Sequence, residues 1–200
     1  MSLCVWYNSS VHRVELSGSN AVMKWSVASQ PAGLTVNRAQ NLIVVSHGEG
    51  KLQEFTTHGT LLQNIQLQLG TESPNPWHTI HLVNGQFVVS CQGSLQSVSL
   101  VDAKGAVIRS YGGQRGSQLT KMNNPEGVAV DRHGNILVAD MSNNRLLMLG
   151  HSLTSAHEMS VSVDGGLTNP YSLCYDKSRG RLYIGAVSYT HLTLPTKRIV

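Results

Sequence analysis

The chain has 200 residues, with 15 Lys and Arg against 11 Asp and Glu for a formal charge of +4. Charged residues make up only 13% of it, which excludes a polyelectrolyte surface. No apolar run approaches the roughly 20 residues of a membrane helix, and Met1-Ser-Leu-Cys-Val-Trp lacks the basic start and long apolar middle of a signal peptide.

Residues 1–16 read as two strands, Leu3 to Tyr7 and Val11 to Leu16, and Val22 to Val27 follows as a third. Asn8-Ser-Ser is a formal glycosylation sequon, but nothing else in the chain points to secretion. Pro31-Ala-Gly-Leu-Thr-Val-Asn then opens a fuller unit, continued by Asn41-Leu-Ile-Val-Val-Ser, by Lys51-Leu-Gln-Glu-Phe and by a strand from Leu61 to Leu67. Pro76-Trp-His-Thr-Ile-His-Leu opens the next, continued by Gln86-Phe-Val-Val-Ser, by Leu95 to Leu100 and by Ala106 to Tyr111. His58-Gly59 and Lys104-Gly105 mark the turns before the last strand of each.

The clearest copy is Asn124 to Leu149. Its strands are Gly127 to Val130, Ile136 to Asp140 and Arg145 to Leu149. Asp131, His133, Gly134 and Asn135 make one turn, and Ser142 to Asn144 the other. Asn, Asp and Gly suit such bends because they tolerate positive φ or hydrogen-bond their own backbone; Val and Ile suit the strands between. Pro170-Tyr-Ser-Leu-Cys-Tyr-Asp and Gly180-Arg-Leu-Tyr-Ile-Gly begin another copy. The prolines recur every 45 to 49 residues or so, a spacing within the range of four-stranded propeller blades.

The pattern Pro-x-Gly-Val-Ala-Val-Asp, then Gly-Asn-Ile-Leu-Val-Ala-Asp, then Asn-Arg-Leu resembles the NHL repeat, and is similar to the C-terminal module of tripartite-motif (TRIM-NHL) proteins. Pro125 to Leu149 carries the resemblance almost throughout. The Pro31 copy matches well, and the Pro76 and Pro170 copies are degenerate. The resemblance implies an all-β fold, an incomplete propeller of about four blades of four-stranded antiparallel sheets. Expected blades are about 1–28, 29–70, 74–112, 123–165 and a truncated 168–186. A propeller of about six blades would need about 270 residues or more, so the chain is expected to be a fragment, cut before or at Met1. Val187 to Thr196 resembles a translated sequencing adapter, so residues 187–200 are expected to be non-native. Without Lys197 and Arg198, 13 basic residues face 11 acidic ones, which weakens any argument from charge for nucleic acid.

Within the implied blade, Gly33 and Gly127 allow close approach of the first strand. Pro76-Trp77 departs from Pro-x-Gly and puts regular packing there in doubt. Asp140 is expected to order the loop between second and third strands and to pair with Arg145; Ser46 with Lys51 stands in its place in the Pro31 copy. The connector Gly112 to Asn124 is longer and more polar than a hairpin needs. The resemblance places such connectors on the binding face, which nominates Trp77, His78, Arg115, Lys121, Asn143, Asn144 and Arg145 as contact residues.

No catalytic residue, metal or cofactor is expected. Cys4, Cys91 and Cys174 are odd in number and far apart, and read as buried or semi-buried free thiols of a reducing, cytoplasmic setting. His78-x-x-His81 places its rings on opposite faces of a strand. There is no Gly-x-Ser-x-Gly elbow, phosphate loop or His-Glu-x-x-His helix. Asp131 and Asp176 read as turn formers. The expected function is a non-catalytic platform for protein partners, in a parent that carries a RING ubiquitin ligase if it is of the TRIM type. Binding of single-stranded or hairpin RNA is the alternative, and a lactonase- or lyase-type propeller enzyme a third, less favoured one. No membrane partner is expected.

Overall fold

The computed structural model describes residues 2–5, 9–15, 22–70, 74–162 and 164–186. Asn8 of the sequon and residues 187–200, where the adapter resemblance falls, lie outside the described residues. Strands follow one another in antiparallel meanders. β1 (Ser2–Val5), β2 (Ser10–Val14) and β3 (Val22–Ser26) form a three-stranded sheet. β4 (Pro31–Val36), β5 (Leu42–Ser46), β6 (Lys51–Phe55) and β7 (Leu61–Gln66) form a four-stranded one. So do β8 (Asn75–His81), β9 (Phe87–Gln92), β10 (Ser97–Val101) and β11 (Val107–Gly112), and again β12 (Pro125–Val130), β13 (Ile136–Asp140), β14 (Arg145–Leu149) and β15 (Ala156–Met159). β16 (Pro170–Asp176) pairs with β17 (Arg181–Ala186). Among the described residues the helical content is one 3-10 turn, Met141–Asn143. The fold class is all-β, an incomplete β-propeller of NHL type.

The chain divides into two compact units, residues 1–89 with 101–108 and residues 90–100 with 109–200. In the first, β5 is buried at every position because both of its faces are covered. Leu42 and Val44, with Phe55 beside them on β6, pack with Val11, Trp25 and Val27 of the preceding sheet. β8 packs against β4 and β5. In the second unit, Leu137 and Ala139 of β13 pair with Met148 and Leu146 of β14 and pack on Leu173 and Leu182 of the next sheet. Each such Leu or Val contributes about 1.5–3 kcal/mol on burial. Stability therefore comes from sheets stacked face to face, each unable to cover its own apolar surface.

Three first strands share a device that turn-residue patterns do not display. Gln30, Asn124 and Asn169, each immediately before a strand-opening proline, have positive φ (52°, 53° and 45°). A register shift follows each proline: Pro31 pairs with Ser46 but Leu34 with Val44, Pro125 with Asp140 but Val128 with Val138, and Pro170 with Ala186 but Ser172 with Gly185. One extra residue is thus accommodated as a bulge. Gly33 and Gly127 sit in it and bring their strands onto the next sheet. A Cβ on Gly33 would lie 2.6 Å from the Trp77 carbonyl oxygen and 3.1 Å from His78 Cα. One on Gly127 would lie 2.9 Å from Tyr171 O, Ser172 Cα and Leu173 N.

Turns between first and second strands are built on side chains that accept from the backbone. Asp131 Oδ1 accepts from the His133 and Asn135 amides, both at 2.8 Å. Asp176 Oδ1 accepts from Ser178 (2.9 Å) and Arg179 (3.1 Å), and these hydroxyl and amide donors, led by the Ser178 hydroxyl, hold its carboxyl below the usual range. Asn37 Oδ1 accepts from the Asn41 amide at 2.9 Å. Cys91 is buried, and desolvation pushes its thiol up to about 12; Cys174 is exposed, against the expectation of a buried thiol, because its side chain lies on the opposite face of β16 from buried Leu173.

Candidate partner-binding surface

The connector between β11 and β12 belongs wholly to the second unit. It leaves β11 through Gly112 and Gly113, whose φ values of 92° and 103° few other residues adopt. Gln96, buried and itself at φ 42°, ties both ends. Its carbonyl accepts from the Gly113 amide at 3.1 Å, and its Oε1 accepts from the Asn124 amide at 2.5 Å. In between, Met122 is fully buried and anchors the loop, its amide donating to Gln114 O and its carbonyl accepting from Gly116. The Lys121 amide closes a tight turn on Gln118 O at 2.9 Å. The Tyr111 hydroxyl donates to Leu119 O at 2.7 Å. Burial raises the Tyr111 pKa against the opposing charge of Arg145, which keeps the phenol a donor.

Asp140 and Arg145, at facing positions of β13 and β14, form the centre of this arrangement. Both are buried, and Arg145 Nε lies 2.8 Å from Asp140 Oδ2. Arg145 Nη1 donates to Ser117 O at 2.7 Å and meets Glu158 Oε2 at 3.5 Å. Nη2 donates to Gln118 O at 3.1 Å and Lys121 O at 2.9 Å. A guanidinium has five N–H donors, and here five acceptors meet them. Asp140 is equally occupied: Oδ1 accepts from the Asn123 amide at 2.7 Å and Oδ2 from Asn143 Nδ2 at 2.8 Å. Asn143 also donates to Gly116 O at 2.8 Å. Asn144, at φ 53°, accepts from the Asn169 amide at 2.8 Å.

The nominated residues therefore fall into distinct groups. Asp140, Asn143 and Arg145 meet, and Arg145 spends its donors on Asp140, Glu158 and connector carbonyls, so it orders the connector and has no donor left for a ligand. Arg115 is exposed, and the stem of Lys121 lies across Gly116, where a Cβ would come within 2.8 Å of its Cδ. Trp77 and His78 stand on β8 in the first unit. There the Trp77 ring meets His47 edge-on at 5.5 Å, and His47 Nδ1 lies 3.3 Å from Pro76 O. Desolvation lowers the His78 pKa to about 4, so its ring is neutral at physiological pH. Gln96 and Met122 were not legible in the sequence, since Gln96 lies a whole hairpin upstream of the connector and Met122 is one apolar residue in a polar run. Among the described residues no three of His, Cys, Asp and Glu gather as a metal site, and no helix is long and apolar enough to cross a membrane.

Residues 122–147 match the NHL repeat. No curated protein matches the chain. Among solved structures, the virginiamycin B lyase from Staphylococcus aureus with quinupristin is similar at TM-score 0.66 and 9% identity, over 90% of this chain and 57% of that one. The Kuenenia stuttgartiensis hydrazine synthase is similar at TM-score 0.67 and 18% identity, over 92% and 58%. A nidogen/laminin complex contributes a chain at TM-score 0.67 and 16% identity, over 90% and 67%. The chain thus spans a little over half the length of the first two, and at these identities the likeness is one of fold.

One expectation is corrected here. The chain was expected to be no enzyme because it carries no local catalytic motif. The lyase is a similar propeller that is an enzyme. Side chains that act together in a propeller come from different sheets, tens of residues apart, so they leave no short spacing to find, and the missing motifs exclude nothing.

Proposed function

We propose that the chain serves as a protein-binding platform whose contact surface is the connector from Gly113 to Asn124 together with the loop between β13 and β14. The observation that carries this is Arg145, which spends three of its donors on connector carbonyls. A segment far longer than the geometry of a blade-to-blade step requires is thereby held in one shape, and a preordered loop loses less entropy on binding. A similar fold within a complex of nidogen and laminin supports the reading. Within it, selection of substrates for a ubiquitin ligase of tripartite-motif type is the narrower role that the repeat pattern suggests.

The test is affinity capture with the chain and with a variant whose residues 114–120 are replaced by a short Gly-Ser turn. Any captured protein is then made recombinantly and its affinity measured for both. Loss of binding in a variant that melts like the parent supports the platform. Equal affinity for both places the contact elsewhere and overturns it.

A further inference from the structure

We infer that the turn Gln118–Lys121 recognises an acidic protein segment that carries an apolar side chain, an inference that rests on the platform reading above. One guanidinium nitrogen, Arg145 Nη2, donates to the carbonyls at both ends of this turn, Gln118 O and Lys121 O. Tyr111 holds the Leu119 carbonyl between them. The backbone of the turn is thus fixed, while the Leu119 side chain is 42% exposed. An apolar side chain held outward on a rigid turn is a ready anchor for a partner.

The connector itself carries charge of one sign. The connector 112–124 contains Arg115 and Lys121 and no Asp or Glu. Glu158, on β15, and Asp140, buried, both face Arg145. Among the described residues neither Arg115 nor Lys121 makes an ion pair, and the Lys121 stem crosses Gly116, next in sequence to Arg115. In sequence, two cations without an ion pair of their own therefore flank one exposed leucine. Carboxylates complement them, and an apolar residue between the carboxylates complements Leu119. A nucleic acid fits less well: residues 113–124 include no aromatic ring for base stacking, and Tyr111 beside them is tied by its hydroxyl to Leu119 O.

The probe is a fluorescein-labelled peptide with glutamates on both sides of a leucine, read by anisotropy against the whole chain. Controls replace the glutamates by glutamines or the leucine by serine. Both should bind more weakly, and affinity for the parent peptide should fall as salt rises. The double variant R115E/K121E should weaken binding at least about tenfold, and L119S should weaken it independently. R132E, an exposed charge in the turn between β12 and β13, at the other end of that sheet from the loop between β13 and β14, should leave it unchanged. The single variants R115Q and K121Q, which keep the backbone contacts of the connector, repeat the test if R115E/K121E fails to fold, and each should weaken binding in part. Equal binding of acidic and neutral peptides, or indifference to R115E/K121E, overturns the inference. So does single-stranded RNA that displaces the peptide and binds more tightly through the same two residues. A partner from the capture experiment that needs the connector while the acidic peptide does not bind would sink this inference and leave the platform standing.

Discussion

The loops after β5 and after β13 occupy equivalent places and share a backbone frame. The His47 amide donates to Gln30 O, and the Met141 amide donates to Asn124 O. In each case the acceptor is the positive-φ residue before the proline. The next side chain in the frame differs. Ser46 donates its hydroxyl to Ser29 O at 2.8 Å, whereas Asp140 accepts from the Asn123 amide at 2.7 Å. Both tether the residue two before the proline. A hydroxyl completes its task there. A buried carboxylate has lone pairs and charge to spare, and needs a cation. Facing Ser46 is Lys51, which turns to the more exposed Glu49 at 2.6 Å. Facing Asp140 is Arg145, which stays inside and reaches on to the connector. The exchange of Ser and Lys for Asp and Arg therefore lets the same frame carry a long loop instead of the short step over residues 27–30.

Arg145→Met should break this comparison most severely. It strands the Asp140 carboxylate and releases three connector carbonyls, and should cost about 3–5 kcal/mol in urea unfolding. The double exchange Asp140→Ser with Arg145→Lys copies the β5 loop and should recover part of that loss. It should leave the connector open to trypsin after Arg115 and Lys121, while a connector as resistant as the parent's would show that Arg145 does not order it. Gly127→Ala should cost about 1–3 kcal/mol, because its Cβ meets backbone of the next sheet rather than a flexible side chain. Gly33→Ala should match it, since the two glycines hold equivalent bulges.

His78 sharpens the comparison at the neighbouring position, where the Pro76 copy has an imidazole in place of glycine. Its pKa falls from 6.5 unfolded to about 4 folded, so between these values the unfolded chain binds more protons. Stability should decline as pH drops from about 6.5 towards 4, by at most about 1.4 kcal/mol per pH unit. His78→Gln should flatten that slope, and an unchanged slope would assign it to other groups. The smallest effect is expected from Ser46→Ala, about 0.5–1.5 kcal/mol for one hydrogen bond, well below that of Arg145→Met.

Much of the architecture was legible. Val and Ile runs between Asn, Asp and Gly turns gave the strands, and the recurring proline gave the repeat, because those signals are local. The pairing of Asp140 with Arg145 was legible for the same reason: the two face each other across a short loop. The further reach of Arg145 was not, since its acceptors are backbone carbonyls 24 to 28 residues upstream, and carbonyls have no letter in the sequence. The bulges were hidden likewise, because register is a property of two strands and each proline shows only one. The exclusion of an enzyme was the weakest expectation, because a propeller gathers side chains from distant repeats and the absence of short motifs says nothing about them.

The grip on residues 29 and 123 also separates two kinds of change during descent. Strand register downstream is set at that clasp, while the segment upstream of it is held by side-chain contacts of its own. A change of length there can be taken up before the strand begins, which leaves its register to the clasp. A repeat with such a clasp works as a socket: its strands stay constant while interchangeable segments plug into it, and new contacts arise at little risk to the stack.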